Sequence, residues 1–235
     1  MAHTAREEVL SRIKAALKRE APQESLSLSS PQADEIRQRC DEQRERLVEQ
    51  FADELTRVGG HLFRATSPTA ASEYVERLTL SAGAKSVIGW DSPLIESIAP
   101  VDLFERIGVE FLRDRATDTA SDFVKAAIDS EIGITAVDYA LADMGTLVLI
   151  SGPGRARSAS LVPPVHIAVV EARQIISGLD DLFPLLAEAG GGSAPHPASA
   201  ITFITGPSRT ADIELTLVVG VHGPQQLHVI LLAGG

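Results

Sequence analysis

The sequence predicts an α/β fold: a mostly parallel sheet flanked by helices, with a β-hairpin insertion and an N-terminal helical extension. Three observations predict it. The first sixty residues are charge-dense with helical spacing of apolar positions. From residue 61 short β-branched runs alternate with helical stretches, the rhythm of strand–helix–strand crossovers. Near Ile132 two strand-like runs flank a short glycine turn, the pattern of a hairpin.

In the extension, Val9, Leu10, Ile13 and Leu17 make one helical stripe, and a serine-rich break runs from Pro22 to Ser30. Ser30-Pro31 opens a second helix, with serine as cap and proline in the first turn. Ile36, Cys40, Leu47, Phe51, Leu55 and Val58 mark its buried face, and Gly59-Gly60 closes it. The expected division is therefore residues 1–60 as helical extension and 61–235 as α/β domain. Strands are expected over His61–Arg64, Ser86–Trp90, Val109–Arg113, Val165–Glu171, Ile201–Thr205 and Leu227–Leu232. Helices are expected over Ser67–Leu80, Ser92–Ala99, Ser121–Glu131 and Asp180–Ala189. ITAVDYAL and TLVLIS read as two strands around ADMG, where Gly145 accommodates positive φ.

Composition excludes some functions. A formal net charge of −11 disfavours broad binding to nucleic acid or an anionic membrane. The single cysteine, Cys40, cannot form an intrachain disulfide or ligate a zinc or iron–sulfur centre alone, and it sits at an apolar helical position as a buried structural thiol. With no apolar leader and no run long enough to span a bilayer, a cytoplasmic location is expected. No metal site and no cofactor are expected, because no ligand spacing or nucleotide fingerprint is present.

The segment after Thr205, Gly206-Pro207-Ser208-Arg209-Thr210-Ala211-Asp212, carries the most chemistry. Read as a strand followed by a turn of helix, it has Ser208 and Thr210 as caps, free N–H groups and the forked cation of Arg209, together an anion site. The alternative is an ordinary capped turn with a surface arginine. The loop Ser151–Ser160, with Arg155 and Arg157, reads either as a lid over an anion or as a solvated loop. Asp138, Asp143, Asp212 and Glu214 are candidate acids, each with an ion-pairing or capping alternative. His166 and His228 lie in apolar strands as core residues, whereas His222 sits between flexible residues where it can titrate near neutrality.

VDYALADMGTLVLISG, LVPPVHIAVVE and ITGPSRTADIELTLVVGVHGPQQLHVILL, taken together and in this order, resemble the LutC-type proteins of the lactate utilization (LUD) domain family. The resemblance implies a fold like NagB, the ribose-phosphate isomerase RpiA and the CoA transferases. It implies participation in oxidising L-lactate to pyruvate, beside iron–sulfur partner proteins (LutA/LutB-like), without redox chemistry in this chain and with a small anionic metabolite as ligand. The motif positions are Asp143, Gly145, Thr146, Gly206, Ser208, Arg209, Thr210, Asp212, Glu214, His222 and Gly223. Of these, Asp143, Asp212 and His222 are expected to be catalytic and the others to bind ligand. Met144 stands where many relatives carry threonine. A homo-oligomer is compatible with the pattern, and a free-standing transferase or isomerase acting on an acyl-CoA or sugar phosphate is the alternative function.

Overall fold

The computed structural model describes residues 6, 9, 10, 12, 30–115, 120–190, 200–211, 217–220 and 222–232. The expected helix after Ser30 is two helices, α1 (Ser30–Glu42) and α2 (Arg44–Arg57), broken at Gln43 (φ −108°, ψ 14°). On α2 the four-residue spacing of Leu47, Phe51 and Leu55 puts all three on one buried face. At its end the Gly60 N–H donates to the Leu55 carbonyl (2.9 Å) and Gly59 takes φ +90°, a glycine-dependent stop.

The chain then builds β1 (His61–Ala65), α3 (Pro68–Ser81), β2 (Ser86–Trp90), α4 (Pro93–Ile98), α5 (Val101–Arg106), β3 (Glu110–Asp114), α6 (Ala120–Asp129) and β4 (Ile132–Ala136). Ser67 caps α3 by accepting from the Ala70 N–H (3.1 Å), as Ser-Pro predicts. Next come β5 (Tyr139–Leu141), β6 (Thr146–Ser151), α7 (Ser158–Leu161), β7 (Val165–Glu171), a 3₁₀ turn at Ala172–Gln174, β8 (Ile175–Ile176) and α8 (Leu179–Gly190). The last strands are β9 (Ala200–Ile204), β10 (Arg209–Ala211), β11 (Leu217–Val219) and β12 (Gln226–Leu232).

A six-stranded sheet runs β1-β12-β7-β4-β2-β3, and every neighbouring pair in it is parallel. Its inner strands are continuous apolar runs because both faces are covered. From β2 the chain steps outward to β3, then returns past β2 to β4. That reversal creates a crevice outside the carboxyl ends of β2 and β4, where ligands of open α/β sheets usually bind. A second sheet runs β8-β5-β6-β9, with β5–β6 as the expected hairpin. Helix α2 touches both sheets, at β1 and at β8.

Three expectations need correction. ITAVDYAL is not one strand: β4 belongs to the parallel sheet and β5 to the second sheet, and the chain changes sheet at Val137-Asp138. Asp138 fixes the step, its carboxylate accepting from the Ile150 N–H (2.7 Å) and pairing with Arg155 (2.6 Å). Thr205 does not follow a parallel strand, since β9 pairs antiparallel with β6. Arg209–Ala211 is not a helical turn but strand β10, antiparallel to β11, so the fan of free N–H groups that a helix start would offer is not formed there. Among the described residues no helix is long and apolar enough to cross a membrane.

Candidate functional site

Three motif residues, Gly145, Gly206 and Arg209, meet the end of α2 and the Val58-Gly59 turn that follows it. Gly145 ends the β5–β6 turn with φ +60°, and a Cβ there would overlap the backbone nitrogen of Leu55. Glycine is therefore required twice, by conformation and by close approach. The Thr146 hydroxyl, next in the chain, bonds the Thr205 hydroxyl (2.8 Å) and ties the hairpin to the end of β9. Gly206 follows with φ +87°, and a Cβ there would run into the Val58 carbonyl oxygen. The Arg209 guanidinium lies over Gly59, filling the space that a Cβ on that residue would take. The Gly145 contact lies on the last turn of α2 and the Arg209 contact on the glycine stop just after it.

Ser208 is held by its backbone. Its N–H donates to the Pro224 carbonyl (2.8 Å), and its carbonyl accepts from the Gly220 N–H (2.9 Å). Gly223 packs against it, leaving a hypothetical Cβ 3.3 Å from the Ser208 Cβ. His222 is exposed in the same loop. Thr146, Gly206, Ser208, Arg209 and Gly223 thus form a connected strip. Thr210 lies in β10, and Asp212 and Glu214 lie outside the described residues.

Asp143 looks elsewhere. Its N–H donates to the Ser177 carbonyl (3.1 Å), and its carboxylate lies over Gly178, where any side chain would collide with it. It borders a cavity of about 750 Å³ between α1, α2 and the start of α8, lined also by Arg39, Arg46, Asp180 and Asp181. Burial raises its carboxyl above the usual carboxylate range; its own backbone N–H counters this, and Asp180, Glu54 and Asp181 add to the rise. No hydrogen bond or ion pair joins Asp143 to Arg209 or His222 among the described residues, and neither of the two lines the cavity that Asp143 borders.

The remaining candidates resolve as follows. Cys40 is buried, with Sγ 3.9 Å from Asp181 Oδ2, and burial pushes its thiol up, as a structural thiol requires. Asp138 is an ion-pairing residue. His166 and His228 are core residues: the first bonds the Thr135 hydroxyl through Nε2 (2.8 Å), the second bonds Tyr74 (3.0 Å) and Gln226 (3.1 Å). Burial pushes His166 down to about 3, and burial with the neighbouring His61 pushes His228 down to about 4. The Ser151–Ser160 segment is neither lid nor solvated loop. It is clamped over the end of the parallel sheet: the Asp91 N–H donates to the Gly154 carbonyl (3.0 Å), Arg155 stacks on Trp90 (4.5 Å), and the Trp90 indole N–H donates to the Ala156 carbonyl (2.8 Å). Gly59, Gly178 and Thr205 were not singled out from sequence as parts of a site. Gly59 was legible there only as a helix stop.

The LUD domain model matches residues 48–232, from within α2 through the last strand described above. The chain belongs to the LUD domain family. Among LUD relatives it is 32% identical over 180 residues to lactate utilization protein C of Halalkalibacterium halodurans, covering 77% of this chain and 76% of that one. It is 38% identical over 143 residues to lactate utilization protein C of Shouchella clausii, covering 60% of each. In structure it resembles a DUF162 family protein of Deinococcus radiodurans, with a TM-score of 0.56 at 20% identity, covering 80% of this chain and 98% of that one. That likeness concerns the fold, and it agrees with the α/β architecture.

Proposed function

We propose that the protein is a LutC-like component of L-lactate utilization in the cytoplasm. It acts beside iron–sulfur proteins that carry the electrons and itself binds a small anionic metabolite. The observation that carries this reading is the similarity to lactate utilization protein C across 77% of the chain. The lone buried Cys40 supports the division of labour, because one thiol cannot supply a cluster's ligand set. For the ligand, the strip from Thr146 to Arg209 offers the Thr146–Thr205 hydroxyl pair and the Arg209 guanidinium, while its glycines let it pack against the end of α2. Asp143, Asp212 and His222 are the acid–base candidates of this reading, with Glu214 and Thr210 as further ligand contacts.

Thermal unfolding with L-lactate, pyruvate or phosphate, on the wild type and Arg209→Ala, tests the binding part. Ligand at about 100 times Kd adds about 2.7 kcal/mol. At about 2–4 °C per kcal/mol for a chain of this size, Tm should rise by roughly 5–10 °C. The rise should vanish in Arg209→Ala. Purification of the tagged protein with candidate iron–sulfur partners tests the rest. Absence of both co-purification and any effect on lactate oxidation would remove the proposal.

A further inference from the structure

The clamped segment Ser151–Ser158 closes one side of a pocket of about 570 Å³, whose other walls are the end of β3, α6 and the end of α7. That volume suits a small metabolite. Arg157 lines it together with Arg155, which is paired with Asp138 (2.6 Å), and with Asp114, whose carboxylate is engaged by the Ala156 N–H. Among the described residues the Arg157 guanidinium has no hydrogen-bond or ion-pair partner. Two further lining residues, Ser151 and Ser158, have hydroxyls that are shut from solvent and without a hydrogen-bond partner. A buried orphan hydroxyl destabilises a fold, and few are tolerated without a use. Side chains sit in staggered χ1 wells, so a rotamer change is the movement by which either hydroxyl would reach a ligand.

Part of the lining is apolar and exposed. Val124, Leu161 and Val162 are 43%, 40% and 39% exposed, and all three line this same space. Cationic and hydroxyl groups beside bare aliphatic groups call for a ligand with both characters.

We infer that this pocket is a second ligand site, taking an organic anion with an aliphatic body. Its head accepts from Ser151, Ser158 and Arg157, and its body covers Val124, Leu161 and Val162. The inference stands independently of the lactate reading and of the Arg209 strip.

The protein carries its own reporter. Trp90 is the chain's one tryptophan, and it touches the pocket-lining residues Arg155 and Ala156. Calorimetry and Trp90 emission should be followed while titrating hexanoate, acetate (the head alone) and hexylamine (the body with the opposite charge). Hexanoate is expected to bind saturably, to change Trp90 emission, and to bind at least tenfold more tightly than the other two. Arg157→Ala, and the pair Ser151→Ala with Ser158→Ala, should each weaken it at least tenfold, whereas Arg209→Ala should leave it unchanged. Arg157 is exposed, so its variant keeps the test open if the serine pair fails to fold. Without ligand, Ser151→Ala should melt no lower than wild type, because its hydroxyl has no bond to lose. Equal binding of the three probes, no binding, loss in Arg209→Ala with retention in Arg157→Ala, or a lower Tm for Ser151→Ala would overturn the site.

Discussion

Replacing Gly145 by alanine tests the contact on which the candidate site is built, and Gly83 supplies a matched control. Both glycines adopt the left-handed conformation, at φ +60° and +61°. A Cβ on Gly83 meets nothing within 4 Å, whereas one on Gly145 overlaps the α2 backbone at Glu54 and Leu55. The conformational cost is shared: about 1–2 kcal/mol for a non-glycine residue there. It is partly offset by about 0.4–1 kcal/mol from the less flexible unfolded chain. Gly83→Ala should therefore lose about 1 kcal/mol or less. Gly145→Ala must also push the hairpin off a helix backbone that cannot rotate away, and overpacking of that kind costs about 1–3 kcal/mol more. The total of about 2–4 kcal/mol corresponds to a fall in Tm of roughly 5–15 °C. Urea titration of the two variants beside the wild type measures the difference directly. If Gly145→Ala loses no more than Gly83→Ala, the hairpin does not rest on α2, and the convergence of Gly145, Gly206 and Gly59 on that helix is wrong.

Two further outcomes are expected. Cys40 is buried, with its thiol raised by burial and by Asp181, so iodoacetamide at pH 8 should leave the native protein unlabelled and modify it fully in urea; fast native labelling would contradict the packing of α1. His166 and His228 are held below their unfolded value of 6.5, at about 3 and about 4. The unfolded chain therefore binds more protons, and the stability they contribute is complete above pH 6.5 and falls as acid is added. The loss approaches about 1.4 kcal/mol per pH unit for each histidine near pH 5, and for His228 it levels off as the pH nears 4. Urea midpoints at pH 7.5, 6.5, 5.5 and 4.5 should show that decline, reduced in His228→Gln; a flat profile down to pH 5 would refute it.

Much of the fold was legible because the informative signals are local. Ser86–Trp90 and Val165–Glu171 are apolar runs bounded by polar or proline residues, and both strands have those bounds. Ser67-Pro68 announces its helix by cap chemistry alone. What failed depended on pairing. Nothing in the apolar pattern of ITAVDYAL tells that two sheets share it; only Asp138 marks the step, and its partners Ile150 and Arg155 lie beyond the hairpin turn. GPSRTA looks like a capped turn until Leu217–Val219 is placed opposite it. The short helix Val101–Arg106 was not identified from sequence. For the candidate site, residue types pointed to Arg209, Thr146 and the glycines, but not to the wall they share. That wall, the end of α2, looks from its sequence like an ordinary amphipathic helix with a glycine stop.

The order of the parallel sheet also constrains how the molecule can assemble. Strand β1 has β12 as its one neighbour in that sheet, His61 opposite His228 and Ala65 opposite Leu232, and β12 in turn separates it from β7. On a ribosome that releases roughly 5–20 residues per second, the first strand made must wait for the last one before it has anything to pair with. The β2–β3–β4 portion has its pairings available early, whereas β1 joins the sheet only when β12 lies between it and β7. A nascent chain halted before Gln226 would therefore expose an unpaired β1 and the open edge of β7, and would be a client for chaperones rather than a smaller working protein.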